Sequence, residues 1–354
     1  MSQRDGLTIE HARPLAPLTT LGLGGPAAHF IEADTRETLL AALALARREG
    51  WPVGILAGGS NLVVADAGFA GLVVRIATRG VVLEREGARA TLTVEAGESW
   101  DDLVAFSVAE ELSGIECMTG IPGSVGATPV QNVGAYGQEV SQVIDAVEVL
   151  DRIDDTVSWL SASECAFGYR DSCFKRDPSR YVVLAVRFSL RVAGAPTLRH
   201  AELSGLLSQR LVPPSLRDVQ QAVRSLRAKK GMLIEPGWPR SVGSFFVNPL
   251  VSASSADQVE HAARALAFAT PSGEMPRFLA SDGRVKLSAA WLIERAGIAK
   301  GLQRGPVGVS TLHALALVHY GGGTTSNLMA LAAEIQQQVD RVFGIALQIE
   351  PVRW

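Results

Sequence analysis

The chain has 354 residues, 47% hydrophobic and 19% charged, with a formal net charge of −3. That length exceeds one ordinary core and predicts two or three domains with a cleft among them, while the balance of apolar and charged residues excludes disorder away from the ends. No lysine or arginine run interleaves with aromatics, which excludes a nucleic-acid partner, and the longest wholly apolar run, residues 39–46, is too short to span a bilayer. The start, Met1-Ser2-Gln3-Arg4-Asp5, has no apolar stretch behind it, so a cytoplasmic protein with no membrane partner is expected.

In chain order, the first predicted helix follows Asp34-Thr35-Arg36-Glu37, read as a capping box, carries Leu39, Leu40 and Leu43, and stops at Gly50. A short strand over 52–57 comes next, then the break Gly58-Gly59-Ser60-Asn61, then extended structure at Leu62-Val63-Val64 and Leu72-Val73-Val74. Residues 1–79 thus form a small α/β domain. A hairpin is expected over 81–97 with Glu86-Gly87 at its turn, and Ser99 caps a helix to about 111, with Asp101 and Asp102 at its positive end. Beyond a glycine-rich segment, strands at 146–150 and 181–190, a proline-broken stretch at 194–214 and a helix at 219–230 complete a second domain, 80–230. Two prolines in Glu235-Pro236-Gly237-Trp238-Pro239-Arg240 forbid regular structure and mark an interdomain crossing. The third domain, 231–344, contains helices near 256–269, 287–296 and 327–343 and a strand at 314–319. Residues 345–354 form a last segment, with a strand at 345–352.

Candidate chemistry is concentrated in five places. Gly120-Ile121-Pro122-Gly123-Ser124-Val125-Gly126-Ala127, running on to Gln131-Asn132-Val133-Gly134-Ala135-Tyr136-Gly137, has five glycines among eighteen residues and almost no charge. Such backbone turns tightly and exposes N–H groups to something flat or anionic, and the interleaved amides and phenol point to a ligand-binding wall. Gly58-Gly59-Ser60-Asn61 sits after a βα unit, where it is either a plain turn or a loop whose N–H groups meet a pyrophosphate. Phe167-Gly168-Tyr169-Arg170-Asp171-Ser172-Cys173-Phe174-Lys175 suits recognition of a carboxylate or phosphate by Arg170; the other reading is a surface Arg170–Asp171 pair. In Ser241-Val242-Gly243-Ser244-Phe245-Phe246-Val247-Asn248-Pro249 the Ser244 hydroxyl either bonds locally or faces a ligand. Glu350, in the nearly apolar Leu347-Gln348-Ile349-Glu350-Pro351-Val352, either faces solvent or sits in a cleft.

Gly22-Leu23-Gly24-Gly25-Pro26-Ala27 fits a dinucleotide fingerprint formally, but no buried strand precedes it, and no phosphate-binding P-loop occurs. Cys117, Cys165 and Cys173 show no C-x-x-C spacing, and the six histidines form no metal-binding motif, so reduced thiols and no metal are expected.

These motifs, in this order and over nearly the whole chain, resemble the UDP-N-acetylenolpyruvoylglucosamine reductase family. The resemblance implies an α+β protein: an FAD-binding fold of the vanillyl-alcohol-oxidase/PCMH type made of two α/β subdomains, with FAD extended between them, and a C-terminal α+β substrate-binding domain. It implies noncovalent FAD, NADPH as hydride donor and UDP-N-acetylglucosamine enolpyruvate as substrate, in a monomer, with residues 345–354 returning to the active-site cleft. By position, Arg170 and Glu350 would stabilise an enolate-like intermediate and Ser244 would protonate carbon. Gly58, Gly59, Ser60, Asn61, Leu62, Gly123, Ser124, Gly126 and Ala127 would contact FAD. Tyr136, Arg170, His200, Lys230, Asn248 and His313 would contact the sugar nucleotide, with His200 where the family usually has a tyrosine over the diphosphate. Another flavin oxidase of this fold would often attach its flavin through histidine or cysteine, and no histidine lies in the wall motifs. A silent nucleotide binder would have no need of a proton donor such as Ser244.

Overall fold

The computed structural model describes every residue except 5, 209–210, 235–239, 267–274 and 281. The expected crossing at 235–240 therefore lies, but for Arg240, outside the described residues. The chain divides into two compact units, the first made of Met1–Arg13, Ala27–Gly59 and Phe69–Lys229, the second of Pro14–Pro26, Ser60–Gly68 and Lys230–Trp354. A reading along the sequence places boundaries at single positions such as 79 and 230; it has no means of seeing that two short early segments belong with the C-terminal third.

In the first unit, parallel strands Pro26–Ala33, Phe69–Ile76 and Val53–Leu56 lie side by side, extended at one edge by Leu7–Pro14 and Ser2–Arg4. Helix Arg36–Glu49 makes the crossover and buries Leu39, Ala42, Leu43, Leu45 and Ala46. Its cap differs from the expected box: Thr35 Oγ1 accepts the Thr38 N–H at 3.1 Å, and Thr38 has no acid or amide side chain to complete a reciprocal bond. Gly50 ends the helix at φ 68°, a conformation in which glycine carries no steric penalty.

A second, antiparallel sheet runs in the order Thr156–Ser161, Ile144–Asp151, Tyr181–Val192, Arg89–Glu95, Val81–Glu86, with Leu112–Ser113 also on Tyr181–Val192. The strand Thr156–Ser161 has no counterpart in the sequence reading. It is a polar edge strand whose Trp159 ring lies under the Arg187 guanidinium at 4.2 Å. One hydrophobic cluster from Leu7 to Leu190 joins both sheets, so residue 79 marks a change of sheet within a shared core. Helix Trp100–Ala109 starts at Ser99 as expected and stops before 111. The proline-broken stretch contains a helix, Ala201–Leu207, which the sequence reading missed; with Leu216–Lys229 it covers a small separate core of Cys117, Tyr136, Leu203, Val219 and Val223.

In the second unit, helices Ala253–Ala265, Ala289–Arg295 and Thr325–Phe343 surround two three-stranded sheets. Thr324 and Asn327 close a capping box on the longest helix and Gly344 ends it at φ 65°. The expected strand over 345–352 is reduced to Val352–Arg353, which pairs in parallel with Leu62–Val63. Pro351 interrupts the ladder by lacking an N–H.

Candidate active site

The glycine-rich wall of the first unit lies along residues 96–100. Gly126 N donates to Ala96 O at 2.9 Å, Val125 N to Glu98 O at 2.8 Å, and Trp100 N to Gly123 O at 3.1 Å. Glycine is required by proximity: a Cβ on Gly126 would stand 2.5 Å from Ala96 Cβ, and one on Gly58 would stand 2.6 Å from Gly123 Cα. Asp101, read from sequence as a helix-dipole acid, has a further task. Its Oδ1 accepts from Thr119 Oγ1 at 3.0 Å and Gly120 N at 2.5 Å, and its Oδ2 pairs with Arg224 at 2.8 Å. Ser124 Oγ is buried in this wall with no hydrogen-bond partner.

Asn132 ties the wall to the Arg170 loop. It is 2% exposed at φ 46°, donates from Nδ2 to Gly168 O at 2.9 Å and Glu139 Oε2 at 3.1 Å, and accepts the Ser141 N–H at 3.1 Å. Its amide therefore serves the scaffold, and the ligand-facing role suggested by its place among the glycines does not follow. Arg170, also left-handed at φ 53°, directs its guanidinium to Asn132 O at 3.2 Å and Gly134 O at 2.7 Å, while Lys175 Nζ holds the Arg170 carbonyl at 2.8 Å. Asp171, the partner in the alternative reading, pairs with Arg176. Arg170 is thus oriented by the wall itself.

Tyr136 and His200, both expected to touch the sugar nucleotide, meet edge to face with ring centroids 5.0 Å apart. Burial pushes the Tyr136 phenol up to about 12, nearby Arg227 opposing, so the hydroxyl stays a donor. Arg227 escaped the sequence reading. Burial pushes its guanidinium pKa down, with Tyr136 and Asp101 opposing, and the available signal was a basic residue on the same helical face as Val219 and Val223.

In the second unit, the ribbon around Ser244 is held by backbone on two sides. Phe245 N donates to Leu315 O at 2.8 Å, Val247 N to Gln348 O at 2.9 Å, and Glu350 N to Phe245 O at 3.0 Å. Ser244 and Glu350, far apart in sequence, are therefore neighbours along paired backbone. Phe245 and Phe246, 0% and 1% exposed, anchor the ribbon in the core, and Gly243 precedes Ser244 at φ 75°. Asn61 and Leu62 join the same region: Asn61 Nδ2 approaches Glu350 O at 3.5 Å and Val352 N donates to Asn61 O at 2.9 Å. Asn248 Oδ1 accepts the Ala289 N–H at 2.9 Å, which fixes the other end of its amide, the NH₂, as a donor. His313 Nδ1 accepts from Leu315 N at 3.0 Å in the turn before Leu317–His319, and Lys230 directly follows helix Leu216–Lys229. Gly58, Gly59, Gly123, Ser124, Gly126, Ala127, Tyr136, Arg170 and His200 belong to the first unit; Ser60, Asn61, Leu62, Lys230, Ser244, Asn248, His313 and Glu350 belong to the second.

Cys117, Cys165 and Cys173 are free thiols. Among the described residues no cluster of His, Cys, Asp or Glu suits a metal ion, and no helix is long and apolar enough to cross a membrane.

The wall fits a flavin dinucleotide. Backbones brought together through side-chain-free glycines give it a surface that can approach phosphate closely, and the buried, unpartnered Ser124 hydroxyl supplies a donor waiting for an acceptor. A family profile described as "FAD binding domain" matches residues 27–161, the part of the chain that contains this wall, and the fold and site define an FAD-binding oxidoreductase. A second profile, "UDP-N-acetylenolpyruvoylglucosamine reductase, C-terminal domain", matches residues 235–354. The chain is 50% identical to the UDP-N-acetylenolpyruvoylglucosamine reductase of Thermobifida fusca, covering 98% of each, and 46% identical to that of Streptomyces coelicolor, covering 97% of this chain and 89% of the relative. The crystal structure of the Thermus caldophilus enzyme superposes with a TM-score of 0.67 at 25% identity, covering 98% of this chain and 99% of the other. The chain belongs to the UDP-N-acetylenolpyruvoylglucosamine reductase family.

Proposed function

We propose that this protein reduces UDP-N-acetylglucosamine enolpyruvate to UDP-N-acetylmuramate in the synthesis of peptidoglycan precursors, in the cytoplasm, with NADPH as the reductant. The observation that carries the reading is Arg170: its guanidinium donates to two wall carbonyls, Asn132 O and Gly134 O, which lie within residues 27–161, the part that matches an FAD-binding domain. Gly58, Gly59, Ser60, Asn61, Leu62, Gly123, Ser124, Gly126 and Ala127 would hold noncovalent FAD, which would supply hydride-transfer chemistry there.

A hydride added to the terminal carbon of the enol ether leaves negative charge on the adjacent carbon and its carboxylate, and that charge must be met as it develops. Arg170 meets it on the carboxylate, where a fixed planar fork suits the two oxygens better than a point charge. Glu350 assists in holding the enolate-like species. Ser244 gives its proton to the carbon; a weak acid is adequate because the acceptor is strongly basic. Tyr136, kept protonated, joins His200, Lys230, Asn248 and His313 in orienting the sugar nucleotide, with Lys230 on the diphosphate.

Anaerobic mixing tests the reading. NADPH is expected to bleach the yellow flavin, and UDP-N-acetylglucosamine enolpyruvate to restore the colour with formation of UDP-N-acetylmuramate. Bleaching that this substrate does not reverse would refute the assignment.

A further inference from the structure

Every polar group of Thr197 is engaged by residues at or beside the wall. Its N–H donates to Glu116 Oε1 at 2.7 Å, its Oγ1 accepts from Gln138 Nε2 at 3.0 Å, and its carbonyl accepts from the Cys117 thiol at 3.3 Å. The gripping side chains are themselves fixed: Glu116 Oε2 accepts the Gly114 N–H and Gln138 Oε1 the Cys117 N–H, both at 2.7 Å. Glu116 and Cys117 are 0% exposed and Gln138 2%, so none of the three can exchange its partner for bulk water without opening the core. Burial, then Glu116, pushes the Cys117 thiol pKa up and keeps its proton on sulfur, where the Thr197 carbonyl requires it.

Thr197 lies in an irregular, proline-containing stretch that has no ladder of its own, and His200 follows three residues later as the residue before helix Ala201–Leu207. The other side of this contact is shaped for close approach. Gly137 has φ 89°, and a Cβ there would lie 3.0 Å from Arg199 Cβ and 3.4 Å from His200 N. We infer that Glu116, Cys117 and Gln138 form a clamp on Thr197 that presets the His200 ring against Tyr136, making Thr197 a positioning residue for the sugar nucleotide. The inference rests on the reading that Tyr136 and His200 bind that ligand. A clamp of this kind removes in advance the ordering cost that a loose segment would add to binding.

The test compares Thr197→Val, which keeps the backbone contacts and loses the hydroxyl, with Thr197→Ser, which restores it. In the FAD-loaded enzyme Thr197→Val is expected to raise KM for UDP-N-acetylglucosamine enolpyruvate by about tenfold, from the loss of one buried hydrogen bond, while NADPH bleaches the flavin at the wild-type rate. Thr197→Ser is expected to recover the KM, and in a His200→Ala background Thr197→Val is expected to add nothing further. Equal slowing of both half-reactions, or an undiminished effect without His200, would overturn the inference. An independent readout is the His200 Hε1 resonance, which the Tyr136 ring current displaces; it is expected to move in Thr197→Val and return in Thr197→Ser, and an unmoved resonance would sink the clamp whatever the substrate. A wild-type protein that ignores the enolpyruvyl substrate would defeat the functional reading alone. Should Thr197→Val fail to fold, Cys117→Ala removes one contact of the clamp and is judged by the same resonance.

Discussion

In the first unit, polar side chains arrange backbone. Asn132 uses its whole amide on Gly168, Glu139 and Ser141, Asp101 secures Thr119 and Gly120, and Arg170 leans on two carbonyls. In the second, backbone arranges polar side chains: the Ser244 ribbon hangs from Leu315 and Gln348, and Glu350 is located by its own N–H on Phe245. In the proposed role, a wall that touches a large planar cofactor needs its main chain bare and its side chains turned inward, which glycine and buried amides provide. In the proposed roles of Ser244 and Glu350, a proton donor and a carboxylate need accessible side chains on a stiff frame, which paired extended backbone over two buried phenylalanines provides. The contrast makes the first unit sensitive both to atoms added at its glycines and to loss of the side chains that hold its backbone, and the second to loss of the side chains its backbone presents.

The largest expected effect breaks the second arrangement. Ser244→Ala should still let NADPH bleach the flavin, while turnover of the enolpyruvyl substrate falls by about a hundredfold to ten-thousandfold, as for loss of a general acid; rapid-mixing spectroscopy of each half-reaction separates the two. Equal loss in both would make Ser244 part of the frame. Next, Arg170→Lys should lower turnover by about a hundredfold, since an ammonium reaching Asn132 O and Gly134 O cannot also fork to a carboxylate. Steady-state kinetics decide this, and near-wild-type turnover would remove Arg170 from the chemistry.

Smaller effects are expected where stability is read. Gly58→Ala drives a Cβ toward Gly123 Cα at 2.6 Å and should cost about 1–3 kcal/mol, with reduced FAD content, measured by urea unfolding and flavin absorbance. Asn132→Ala, which strands a buried N–H and two acceptors, should cost a comparable amount through the other half of the same wall. If either variant left the Tm unchanged, the wall would be looser than its contacts imply.

The smallest effect is pH dependence, and it touches both units. Burial, then His11, holds His29 below its ordinary 6.5 in the first unit; burial, then Arg240, holds His319 below the same value in the second. A base whose folded pKa is depressed takes up its proton more readily when unfolded, so the stability it contributes is complete above 6.5 and is lost as pH falls from there through the folded value. Unfolding midpoints should therefore decline across that acid window, and His29→Asn should flatten part of the decline. An unchanged profile in that variant would show that the His11–His29 contact, Nδ1 to Nδ1 at 3.2 Å, has no share in it.

Much of the architecture was legible because it is written locally. Ser99 and Gly50 punctuate helices through their own side chain or its absence, and the five motifs and their order carry the family resemblance through side-chain identity alone. The edge strand Thr156–Ser161 and the helix Ala201–Leu207 escaped, the first because an edge needs no apolar alternation, the second because prolines on both sides mask a short amphipathic turn.

The sequence by itself determined which chemistry is present: glycines where backbone must come close, one arginine among aromatics, one serine before two phenylalanines, one glutamate near the end. Only the tertiary structure decided how those groups are held. That Asn132 and Asp101 serve the scaffold, that Arg170 donates to two wall carbonyls, that Glu350 stands beside the Ser244 ribbon, and that Thr197 is clamped all depend on contacts between residues distant along the chain. Such contacts arise from the path of the folded backbone, which brings hydrogen-bonding groups into register, and no local propensity encodes that path.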